Sequence, residues 1–232
     1  MEVKYRLLVA SFTITAILLV AIILFGSVLD KGRQNVLTTE FDKISEDFNE
    51  LQTLTFLADS YDDELACLAF ESKLHEMDSY LWDLGSTLDK YQSASEEFNE
   101  QSYYFHQKKL FNQHEMTYYL FTRNLVERCD ISKTSILYFY KESESCSDCD
   151  AQSFILRDIG FEDKDANNDD RELAIFSFDT DLGIGSIDLL TTYYEFDDYP
   201  CLVINDKASC GLKSQEEIVY LLCKENDLAI CN

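Results

Sequence analysis

Ser135-Ile136-Leu137-Tyr138-Phe139-Tyr140 is a short apolar run, rich in aromatic residues, of the kind that suits a buried strand. The polar stretch Lys141-Glu142-Ser143-Glu144-Ser145 separates it from Cys146-Ser147-Asp148-Cys149. Ala151 to Ile159 then carries apolar residues at helical spacing. A cysteine at a helix N-terminus meets unpaired backbone N–H groups and the positive end of the helix dipole, which stabilise its thiolate. With two residues between them, a second cysteine can reach back within one turn and resolve a mixed disulfide. By this logic Cys146 is the candidate nucleophile and Cys149 the candidate resolving thiol.

Downstream, an acidic loop leads to a second β-prone run, Leu173 to Phe178, and Ile184 to Phe196 has the spacing of a helix. Tyr199-Pro200-Cys201-Leu202-Val203-Ile204-Asn205-Asp206-Lys207-Ala208-Ser209-Cys210-Gly211 follows, with Asn205-Asp206 suited to a two-residue turn between strands. Ser214-Gln215-Glu216-Glu217 matches a capping box at the start of a last helix, Glu216 to Cys223.

The order is β-α-β-α-β-β-α. Together with a CxxC between strand and helix and a lone Pro at a later strand, it resembles the minimal thioredoxin-like fold over about residues 132–232. The resemblance implies catalytic roles for Cys146 and Cys149. It also implies a cis Tyr199–Pro200 bond facing them, substrate contacts at Tyr199, Pro200 and Cys201, and Gly211 as the glycine before the last helix. The sequence departs from the family at several positions. The dipeptide between the cysteines is Ser147-Asp148, no Trp precedes Cys146, and no acidic residue lies in the 135–140 strand. Glu142, Glu144, Asp148 and Asp150 disfavour a thiolate and so favour the disulfide form. A structural disulfide remains an alternative for the pair. So does zinc ligation, which would need two further ligands from Cys201, Cys210 or elsewhere.

Eight cysteines, an even number, fit an oxidising compartment. Counting outward from Asn205-Asp206 sets Cys201 opposite Cys210. Cys223 and Cys231 bracket the C-terminal tail and can staple it, which leaves Cys67 with Cys129. This set of structural pairs is one of roughly a hundred that eight cysteines allow.

Upstream, residues 35–130 hold no Pro and a single Gly, Gly85. Apolar residues step by three or four from Phe41 through Leu57, again from Leu65 to Leu88, and again from Phe98 to Leu125. The expectation for 30–130 is an α-helical bundle or hairpin of three or four helices, with breaks near Asp59–Asp63, Gly85-Ser86 and Ser93–Ser95. It would serve as a spacer or as a surface for a protein partner. His75, His106 and His114 lack the spacing of a helical metal pair.

Residues 7–29, LLVASFTITAILLVAIILFGSVL, carry no charge. A bilayer core of ~30 Å needs about 20 helical residues, so a single transmembrane helix is expected after a short tail at 1–6. The rival, a cleaved signal peptide, has a shorter apolar region. The expected class is therefore an α/β thioredoxin-like C-terminal domain at 132–232, preceded by a transmembrane helix and the helical region. Its expected location is the cell membrane, single-pass, with the C-terminal part extracytoplasmic.

The net charge is −25, from 44 Asp and Glu against 19 Lys and Arg. Such a surface repels phosphate backbones, which argues against nucleic-acid binding. No cofactor and no metal are expected. The functional expectation is a membrane-anchored thiol–disulfide oxidoreductase acting on protein thiols or disulfides. The alternative is a non-catalytic thioredoxin-like binding or scaffold module held by a structural disulfide.

Overall fold

The computed structural model describes residues 2–58, 67, 70, 73, 77–88, 102–129, 133–142, 144–166, 172–226 and 228–231. Two compact units are distinguished, Met1–Ser45 and Glu46–Asn232. The expected breaks at Asp59–Asp63 and Ser93–Ser95 lie outside the described residues.

Helix α1, Glu2–Ala58, contains no Pro and continues through the charges that follow the apolar run. Its apolar side chains described over 11–25, Phe12, Ile17, Ile22 and Phe25 among them, are exposed, whereas Phe48 and Leu51 near its other end are buried. Among the described residues, no helix is long and apolar enough to cross a membrane. The transmembrane helix expected over 7–29 is corrected on that ground. The class is corrected too: most of the described residues are helical, and the β-structure among them is one small mixed sheet of four strands.

In the second unit a helical segment covers 77–88 and helix α2 covers Ser102–Cys129. Gly85 does not break the first of these. A Cβ there would stand 3.1 Å from Cζ of Phe111, so the missing side chain makes room for that ring. Phe70, Met77, Leu81, Leu84, Leu88, Tyr104, Phe111, Tyr118 and Leu125 are buried, the apolar stripes that helical spacing anticipates. Cys67 is bonded to Cys129 at the end of α2.

Strand β1, Thr134–Tyr140, leads through the cysteine loop into α3, Cys149–Ala166. Strand β2, Leu173–Asp179, follows, then a short 3-10 turn, Thr180–Leu182, and α4, Gly185–Tyr193. Helix α4 ends before the expected Phe196 because Glu195 turns left-handed, at φ 56°. Strands β3, Cys201–Ile204, and β4, Lys207–Cys210, form a hairpin. Asn205 and Asp206 are both left-handed in its turn, a conformation these residue types tolerate. Helix α5, Gln215–Cys223, opens with a complete Ser214–Glu217 capping box.

The sheet order is β2-β1-β3-β4. Strand β1 runs parallel to β2 and antiparallel to β3, and β3 is antiparallel to β4. One of the two inner strands, β1 is largely buried on both faces. Ile136 and Tyr138 pack with Leu156, Ile159, Ile218 and Leu222 from α3 and α5. On the other face Phe139 meets Phe178 and Phe196, while Phe176 meets Tyr118 and Tyr119 of α2. Helix α2 also satisfies outward backbone groups of β2, a strand at the sheet's edge. Ser177 N donates to Oε1 of Glu115 at 3.3 Å, and Asp179 N to Oδ1 of Asn112 at 2.7 Å. Covering of this kind blunts an edge strand against pairing with another chain.

Candidate functional site

The loop from β1 to α3 is a closed turn. Ser145 N and Cys146 N both donate to the carbonyl of Glu142, at 2.8 and 3.1 Å. Gln152 N donates to the carbonyl of Asp148 at 3.0 Å, so the first helical bond begins one residue before Cys149. Helix α3 accordingly starts at Cys149, and Cys146 lies one turn upstream of the N-terminus where sequence reasoning set it. Cys146 and Cys149 are bonded to each other, with their Cα atoms 5.5 Å apart. Both are buried, at 7% and 3% exposure, while Ser147 and Asp148 between them are exposed. The exposed dipeptide thus lies at the surface while the disulfide itself is buried.

Beneath the helix start, the Tyr138 hydroxyl donates to the carbonyl of Cys149 at 2.6 Å. Burial, with the charge of Asp150 second, pushes the Tyr138 phenol well above its ordinary range, so it stays a donor. The strand register brings Phe139 opposite Cys201, so Pro200 enters β3 beside the end of β1 from which the cysteine loop emerges. The Tyr199–Pro200 bond is cis, Pro200 is buried, and Tyr199 is half-buried with Lys141 Nζ 4.8 Å above its ring. Cys146, Cys149, Tyr199, Pro200 and Cys201 thus come from segments that meet at one end of the sheet.

Cys201 is fully buried and bonded to Cys210, its register partner on β4. Gly211 N donates to the carbonyl of Pro200 at 2.8 Å from a left-handed backbone, φ 82°, that suits glycine. Cys223 is bonded to Cys231 across the tail. All eight cysteines are therefore in disulfides. Among the described residues, no group of three or more His, Cys, Asp and Glu is arranged to hold a metal ion.

Sequence reasoning missed the support of this site. Asp179, at the end of β2, pairs with Tyr140 in register and is buried. Its Oδ2 stands 2.5 Å from Nζ of Lys108, a buried lysine of α2, which also lies 5.4 Å from the Tyr140 ring centre. Its Oδ1 accepts from Asp181 N at 2.8 Å. Nothing local marks Asp179 among 44 acidic residues, or Lys108 within Lys108-Lys109. His114 stacks on Phe48 at 4.8 Å, with its pKa lowered to about 4 by burial.

No family model, no curated protein and no solved structure matches the chain.

Proposed function

We propose that the chain is a thiol–disulfide oxidoreductase of thioredoxin-like type, with Cys146 and Cys149 as its exchange pair and protein thiols or disulfides as substrates. The observation that carries the reading is the Cys146–Cys149 bond at the start of α3, bridged by the exposed Ser147-Asp148. The strand order and the entry of Pro200 beside the same sheet end support it.

In the reducing direction the Cys146 thiolate attacks one sulfur of a substrate disulfide. A mixed disulfide forms and one substrate thiolate leaves. The Cys149 thiolate then attacks the Cys146 sulfur, closing the Cys146–Cys149 bond and releasing the second substrate thiolate. Two electrons pass from the pair to the substrate, and the oxidising direction is the reverse. The compartment is an oxidising one, because cytosolic reductants oppose a chain with all eight cysteines bonded.

The test is turnover of insulin or a model disulfide by the purified full chain in the presence of a dithiol reductant. Wild type should turn over, and Cys146→Ser should abolish the reaction. A wild-type chain that shows no turnover overturns the reading.

One observation favours a second reading. Both cysteines are buried, and Asp148 and Asp150 flank Cys149 in sequence, as would suit a binding or scaffold module held by a structural disulfide. On that reading, replacing both cysteines by Ser leaves the cellular role intact.

A further inference from the structure

We propose that Asp181 is a positioning residue for the Cys146–Cys149 pair, tying the cysteine loop to a buried anchor on α2. The tie is continuous in hydrogen bonds. Glu142 N donates to Oδ2 of Asp181 at 3.2 Å, and the Glu142 carbonyl accepts from Ser145 N and Cys146 N. The peptide groups of one residue therefore join Asp181 to the backbone of Cys146. A second point of attachment lies beside it, where Thr180 Oγ1 donates to the Tyr140 carbonyl at 3.1 Å. Asp181 is itself fixed, because its own N–H donates to Oδ1 of Asp179. Asp179 is in turn held by Lys108 at 2.5 Å and Asn112 at 2.7 Å.

The physical consequence concerns the reduced pair. Once the sulfur–sulfur bond opens, the loop from Lys141 to Asp148 is free to spread unless something else holds it. A loop kept in place raises the effective concentration of one thiol at the other, and so favours the disulfide. Asp181 and Thr180 supply that restraint from outside the CxxC itself. The role is to hold an acceptor oxygen at Glu142 N, which an amide oxygen at the same place can also do. A carboxylate acting through its charge would not be replaced in this way.

This inference rests on the reading of Cys146 and Cys149 as an exchange pair, but its test does not use turnover. The full chain is equilibrated with mixtures of reduced and oxidised glutathione, trapped with an alkylating agent and digested. The redox state of the peptide carrying Cys146 and Cys149 is then read by mass spectrometry. In Asp181→Ala the equilibrium constant should move about fivefold toward the dithiol, the scale of one ordinary hydrogen bond. Asp181→Asn should stay within about twofold of wild type, the scatter expected of surface changes. Thr180→Val, which removes the second attachment with little change of shape, should move the constant in the same direction as Asp181→Ala. The proposal is overturned if Asp181→Ala leaves the constant unchanged, whatever Thr180→Val does, or if Asp181→Asn shifts it as far as Asp181→Ala. Absence of turnover in wild type would instead sink the functional reading and leave this equilibrium measurable.

Discussion

Lys108 Nζ stands 2.5 Å from Asp179 Oδ2, with both side chains buried, one from α2 and the other at the end of β2. Separating two charges from water is costly, and their attraction offsets this only when the geometry is close. Removing one partner strands the other. Lys108→Met should therefore destabilise the fold by about 3–5 kcal/mol, read from urea unfolding. Lys108→Met with Asp179→Asn should recover part of the loss, since no bare charge remains. A single variant as stable as wild type would show that the pair is not a working anchor.

The disulfides should differ in worth according to the loops they close. Cys67–Cys129 spans 62 residues and Cys223–Cys231 spans 8. Loop entropy of the unfolded chain then gives about 4 kcal/mol for the first and about 2.5 kcal/mol for the second. Double replacement by Ala of each pair, followed by denaturant unfolding, checks the order. Equal losses would mean that packing around the sulfurs, not chain entropy, decides their contribution.

The parts of this fold legible in the sequence are those written locally. Asn205-Asp206 marks a hairpin turn by residue type alone, and the count outward from it gives the register that joins Cys201 to Cys210. Ser214 and Glu217 mark a helix start because both capping partners lie within four residues. What was not legible depends on distant partners. Gly85 looked like a break, yet it accommodates the Phe111 ring inside a continuous helix. Tyr118 and Glu115 read only as helical positions, yet α2 lays them against β2. Asp179 and Asp181 were two acids in an acidic chain until the strand end brought them to Lys108 and Glu142.

His114 gives the fold a pH dependence with a definite sign. Burial lowers its pKa from 6.5 to about 4, so the unfolded chain binds its proton more readily than the folded one. The contribution is fully present above the unfolded value and is lost as pH falls from about 6.5 toward 4. His114→Phe keeps a ring against Phe48 and removes the titration. The stability difference between variant and wild type should widen over this window, on the order of 1 kcal/mol after allowance for solvent screening. A difference that stays flat from pH 7 to pH 4 would exclude His114 as the source.

Tyr138→Phe tests how firmly the start of α3 is held. The hydroxyl donates to the Cys149 carbonyl at 2.6 Å from within the core that Ile136, Leu156 and Ile218 build. Phe keeps the ring and its packing, so the change isolates one buried hydrogen bond. The carbonyl it leaves behind lies in the first turn of α3, where it normally accepts a helical N–H as well. The expected cost is about 1 kcal/mol in denaturant unfolding, toward the lower end for a buried group that loses one of its partners. The same variant should raise amide exchange at Cys149 and Asp150 more than at Ile159, because the loosening is confined to the helix start. Uniform exchange along α3 would mean that Tyr138 supports the helix through packing alone.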